Sequence, residues 1–178
     1  MTGRPQADDA LADKRIEPPL AGDERATLTG FVDYQRQTLL LKCAGLTPEQ
    51  LLLRAAPPSS LCLLGLVRHL TDVEYWWLHV NFAGSEDVQL YGPGDADLEV
   101  TEADEQAVTA AFARFAEVAA TSRGILADTA LDALTPTDPD TGKRFSLRWI
   151  LAHLIEEYAR HNGHADLIRQ AIDGAIGE

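Results

Sequence analysis

The chain has 178 residues, 46% of them hydrophobic, with 28 acidic against 15 basic side chains and a net charge of -13. That length suits one domain with a sizeable core. The acidic balance excludes a phosphate-neutralising surface, so neither nucleic acid nor an anionic membrane is an expected partner.

Residues 1–22, beginning MTGRPQADDALADKRIEPPL, are polar and proline-containing and carry no apolar core segment. They read as a flexible tail rather than a secretory signal. The apolar runs TLLLKCAGL and LCLLGLV fall short of the ~18 residues a membrane helix needs, so a cytoplasmic protein is expected. Cys43 and Cys62 each stand among leucines at helical spacing, as small buried hydrophobes do, and suggest no disulfide framework.

Helical periodicity begins in residues 23–44, where GDERATL places acidic side chains at the positive end of a helix. The apolar stripe there is Leu28, Phe31, Val32, Leu39 and Cys43. GLTPEQL then breaks the helix, and Pro48 favours a fresh short turn. A second long helix is predicted over 59–81, after APPSS, whose serine pair is an N-cap signal. A third, over 102–127, starts TEADEQAV, with Thr101 and Asp104 or Glu105 arranged as a capping pair. The fourth runs from Ser146 to 173 and stops at Gly174. DVQLYG and KRFSL are too short and isolated to build a sheet.

Four long amphipathic helices predict an all-α four-helix bundle over 23–174, with a short C-terminal tail over 175–178. The connection FAGSEDVQLYGPGDADLEV is too long for a tight antiparallel turn. A loop of ~20 residues can run back along a ~30 Å helix. The second and third long helices are therefore expected to be parallel, giving an up-down-down-up bundle with one long crossover.

His153, Glu157 and His161 recur every four residues and share one face of the fourth helix, with His164 at its end. Ile150, Leu154 and Ile168 flank that stripe, so it points partly inward, where an unpartnered carboxylate would be costly. On the second helix, His69 stands amid Leu66, Val73 and Trp76, and Gly65 leaves room one turn earlier. His69 and the pair Glu157/His161 lie near the middles of their helices, so they meet at one level in a bundle. Three His/carboxylate ligands with an open position form the pattern of a catalytic zinc or similar divalent site. The plainer reading is a satisfied core histidine beside an ordinary i,i+4 pair. Spacing alone does not decide between the two.

LLGLVRHLTDVEYWWL, followed by SLRWILAHLIEEYARHNGHADLIRQAIDG, resembles the DinB/YfiT-like superfamily. The closer resemblance is to its mycothiol-dependent transferase and maleylpyruvate isomerase branch, and it covers about residues 23–173. It implies a four-helix bundle holding a divalent metal, zinc or nickel, through one histidine of the second helix and two residues of the fourth. By that resemblance the ligands are His69, Glu157 and His161, and His153 is a non-ligating neighbour. Gly163 matches the pattern, whereas His164 stands where relatives carry glutamine.

The resemblance further implies a thiol S-transferase or isomerase in detoxification, with mycothiol as co-substrate. A metal-held thiol is deprotonated and becomes the nucleophile toward an electrophile. Two other readings remain: a hydrolase with metal-activated water, and a non-catalytic metal-binding dimer. Further candidates near the site are Trp76, Tyr158, His153 and His164 as substrate contacts or supporting groups. Arg68 and Arg160 read as surface or salt-bridge residues, His79 as an exposed or capping residue, and the YGPG segment as part of a lid. A homodimer is also expected.

Overall fold

The structure is a computed structural model and describes residues 15–91, 98, 100 and 103–176. Its long helices are α1 (Glu24–Cys43), α3 (Leu63–Glu74) continued by a π-helical stretch (Tyr75–Phe82), α4 (Glu105–Ala127) and α5 (Leu147–Asp173). The short α2 (Pro48–Leu51) follows α1. Among the described residues there is no strand, only an isolated bridge between Leu134 and Ser146.

Caps set these boundaries. Asp23 accepts from the Ala26 amide at 2.8 Å to start α1, and Thr47 with Gln50 forms a reciprocal capping box on α2. Ser146 opens α5, which Gly174 closes at φ 78°. Two starts differ from the sequence reading. α3 begins at Leu63 with Cys62 as its cap, because the Ser59 hydroxyl instead accepts from the Leu61 amide within the preceding turn. α4 begins at Glu105, capped by Asp104, whose carboxylate takes the Ala107 amide at 2.7 Å; Thr101 lies outside the described residues.

Side-chain pairs give the helix directions. α1 and α5 are parallel: Glu24 meets Arg148, Gln35 meets Asn162, and Lys42 meets Asp166. α3 is antiparallel to α1, since Val32 packs in one core cluster with Leu78 while Leu39 and Cys43 pack in another with Leu63 and Leu66. α4 runs with α3: Val108 and Phe115 join the Leu63–Leu70 cluster, His79 meets Ser122, and Leu126 joins Leu78. The bundle is therefore up-down-down-up, with the long crossover between α3 and α4.

The two apolar clusters are separated by a buried polar layer. Arg36 lies between Val32 and Leu39 along α1, and Glu74 between Leu70 and Leu78. Arg36 donates to both Glu74 carboxylate oxygens at 2.9 and 2.6 Å, and the Tyr158 hydroxyl donates to the same carboxylate at 2.8 Å. Burial alone disfavours the Arg36 charge, but Glu74 outweighs that and raises its pKa.

The expected tail divides. Residues 1–14 lie outside the described residues, whereas 15–22 are held against α1. Arg15 donates to Thr38 and stacks over the Tyr34 ring at 4.5 Å, the Ile16 amide donates to Gln37, and Pro18 is buried. No helix among the described residues is long and apolar enough to cross a membrane.

Candidate metal centre

α3 and α5 cross with His69 facing His161, their rings edge to face at 4.7 Å. One turn before His161, Glu157 turns Oε2 toward the His161 Nε2 at 3.6 Å. One ligand atom from each of His69, Glu157 and His161 lies within 4.8 Å of the others. Ligands 2.0–2.1 Å from a tetrahedral zinc would stand about 3.3 Å apart, so small side-chain adjustments close the set. Their donor types, two imidazoles and a carboxylate, suit a divalent ion of that class. The trio is partly buried, with 17% of the Glu157 and 11% of the His161 side chain exposed, which leaves a side open to solvent.

His164 stands behind His161: its Nδ1 lies 3.4 Å from the His161 Nδ1. That contact occupies one ring nitrogen of His161 while the other faces Glu157, the usual way a ligating imidazole is oriented. His153 lies on the opposite side of Glu157, with Nε2 3.8 Å from Oε1 and Nδ1 3.5 Å from Glu156.

The remaining candidates separate from the trio. Tyr158 is fully buried and its hydroxyl is taken by Glu74; one residue after Glu157, it points about 100° further around the helix into the core. Trp76 is 42% exposed and rests edge to face on Trp77. Trp77 instead lies against His153, ring centroids 5.0 Å apart. The π-helical stretch explains the exchange. With more residues per turn, each advances less than the ~100° of an α-helix, so Trp77 and not Trp76 comes round to the α5 side.

His79 corrects its reading as an exposed or capping residue. It is buried, and its Nε2 lies 3.0 Å from the Ser122 hydroxyl. Burial lowers its pKa more than the nearby Glu74 raises it. Arg160 is paired with Glu156 on the α5 surface, as expected. Arg68 is partly buried, its guanidinium 5.2 Å from the Tyr91 ring centre. Of the YGPG segment only Tyr91 is described, and the rest of that candidate lid lies outside the described residues. Both cysteines are buried, and burial pushes the Cys43 thiol up to about 12 and raises that of Cys62. Burial thus disfavours the thiolate at both.

Sequence reasoning missed Trp149 and Phe145. Trp149 stacks on His153 at 5.0 Å and 20°, and Phe145 packs on both Trp77 and Trp149. The signal was present, since Trp149 precedes His153 by four residues on the same stripe. It also missed Glu74, although that residue follows Leu70 by four on the apolar face of α3.

No curated protein matches the chain. One family model does: the family described as Mycothiol-S-transferase matches residues 27–174, which span both helices that carry the trio and most of the bundle. With the fold and the facing His/Glu/His face already in place, that match decides the family: the chain is a member of the mycothiol S-transferase family.

Proposed function

We propose that the protein is a divalent-metal-dependent thiol S-transferase that joins a mycothiol-type thiol to an electrophile in detoxification. Membership of the mycothiol S-transferase family supports the thiol and the reaction class. The single observation that carries the metal dependence is the convergence of His69, Glu157 and His161 within 4.8 Å from two helices. In this reading the three side chains hold a zinc-like ion, with nickel as the alternative. The ion, when bound, supplies a positive charge that favours the thiolate over the thiol at neutral pH.

The chain's own residues then do the rest. Glu157 contributes a negative charge to the ligand set, which makes the set more electron-donating than three histidines. His164 holds the His161 ring by its Nδ1, and the buried polar layer beneath fixes the α3–α5 spacing through Tyr158 and Glu74. For an addition, the thiol S–H and one π bond of the acceptor are lost while S–C and C–H bonds form. For a displacement, an S–C bond replaces the bond to the leaving group, which departs with the bonding pair, and the thiol proton passes to the leaving group or to water. The cytoplasmic setting and the homodimer expected from the sequence belong to the same reading, and sedimentation of the purified chain tests the homodimer.

Elemental analysis of purified protein tests the proposal first. About one ion per chain, lost in Glu157→Ala and His69→Ala with helicity unchanged, is the expected result. Unaltered metal content in both variants overturns the ligand assignment. Turnover of an electrophile that needs no added thiol would replace the transferase with a hydrolase.

A further inference from the structure

His153 stands one turn before Glu157 on α5, outside the trio. Glu157 divides its carboxylate between its two histidine neighbours: Oε2 lies 3.6 Å from the His161 Nε2 and Oε1 lies 3.8 Å from the His153 Nε2. Glu156 adds a second carboxylate on the same face. Its Oε2 lies 3.5 Å from the His153 Nδ1, while its Oε1 is held by Arg160. One ligand atom from each of His153, Glu156 and Glu157 lies within 4.8 Å of the others, the same convergence that marks the trio. Two carboxylates and an imidazole suit a divalent ion of the zinc or manganese class.

Three features set this group apart from an ordinary charged helix face. The His153 ring is already fixed: it stacks on Trp149 at 5.0 Å and 20°, and Trp77 meets it edge to face at 5.0 Å and 74°. A ligand held in that way loses little side-chain freedom when an ion binds. The group is also sheltered, with 24% of the His153 and 17% of the Glu157 side chain exposed, so an ion is attracted more strongly than in open water. Glu156, at 45%, has room to swing toward Nε2, which brings both carboxylates to one ring nitrogen. Lastly, the division of the Glu157 oxygens is that of a carboxylate bridging two ions, which in such pairs stand about 3.5–4 Å apart.

We propose that His153, Glu156 and Oε1 of Glu157 form a second, weaker divalent-cation site, joined to the His69/Glu157/His161 set by the shared Glu157 carboxylate. The sharing rests on the metal reading of the trio; the second ligand set does not. Two neighbouring cations repel, and Arg160 competes for Glu156. The second ion therefore binds after the first and about hundredfold more weakly. The protein as purified keeps one ion, and takes up the second only where the cation is abundant. By reciprocity each ion lowers the affinity for the other.

The test titrates metal-free, full-length protein with zinc against a chromophoric chelator, and with cobalt(II) followed by absorption and electron paramagnetic resonance. Two ions per chain are expected, the second about hundredfold weaker, and the resonance intensity per cobalt should fall as the second enters beside the first. His153→Gln and Glu156→Gln should each weaken the second ion at least tenfold and keep the first. Tm should stay unchanged in Glu156→Gln, whose side chain is exposed. Saturation at one ion per chain in excess zinc overturns the proposal. So does a second ion whose affinity is the same in both variants, which is an adventitious ion only. Two bound cobalt ions with an unchanged intensity per ion overturn the sharing of Glu157. His69→Ala separates this site from the trio. One ion still bound in that variant, and lost when Glu156→Gln is added, retires the trio and leaves the second set standing. A single wild-type ion that is lost in His69→Ala and kept in His153→Gln does the reverse.

Discussion

Replacing Glu74 by alanine removes the carboxylate on which three buried donors converge: Nε and Nη2 of Arg36 and the hydroxyl of Tyr158. Arg36 and Glu74 are 2% and 1% exposed, so the Arg36 charge loses its buried counter-ion. Removing one member of a buried ion pair costs about 3–5 kcal/mol. Asp33 keeps its 2.6 Å contact to the Arg36 Nη1, which favours the lower end, about 3 kcal/mol. The Tyr158 hydroxyl, left without an acceptor, adds roughly 1 kcal/mol or more. The expected loss is about 4 kcal/mol, or roughly 8–16 °C in Tm for a domain of this size. Urea unfolding at pH 7, read as a change in midpoint at constant slope, measures it. A loss below about 1 kcal/mol would show that the layer is solvated in solution and would refute the argument. The triple change Arg36→Met, Glu74→Leu, Tyr158→Phe removes charge and hydroxyl together, and is expected to recover most of the lost stability.

Two other outcomes follow from the same geometry. His164→Ala should weaken metal affinity by about 10–100-fold in competition with a chelator, because the His161 ring loses the group that holds it; His164→Gln should retain most of the affinity, and equal affinities in all three proteins would remove His164 from the site. The buried His79, facing Ser122, Glu74 and Arg36, has a pKa lowered by burial, so the unfolded chain takes up its proton first. Its stabilising contribution is therefore complete above the unfolded value of ~6.5 and is lost as pH falls from there through the folded pKa. In His79→Gln the stability-versus-pH curve should be flatter below pH ~6.5, and an unchanged slope would refute the assignment.

The helices were legible in the sequence because their signals are local. A carboxylate or hydroxyl at an N-cap, a proline at the first turn and a glycine past the last one act within a few residues of where they stand. Asp23, Pro48, Ser146 and Gly174 all do so here. The crossover length implied the parallel pairing of α3 and α4 for an equally simple reason, the reach of an extended chain. The trio could be proposed because i,i+4 spacing on α5 is a local property and because the midpoints of packed helices must lie at one level.

Tertiary packing decided the rest. Which side of α3 faces α5 beyond Glu74 depends on the π-helical winding, which shifts the register and exchanges Trp76 for Trp77. No single-residue signal in YWWLHVNF announces it. The partner of Tyr158 is 84 residues away, and Glu74 is acceptable in the core only because Arg36 and Tyr158 arrive from two other helices. His79 is buried for the same kind of reason, since α4 brings Ser122 against it. Composition and periodicity thus determined the helices, their order and a candidate ligand face. Pairings between distant helices, each conditional on the others being in place, decided which polar side chains are held inside and which rings stand beside the candidate ligand face.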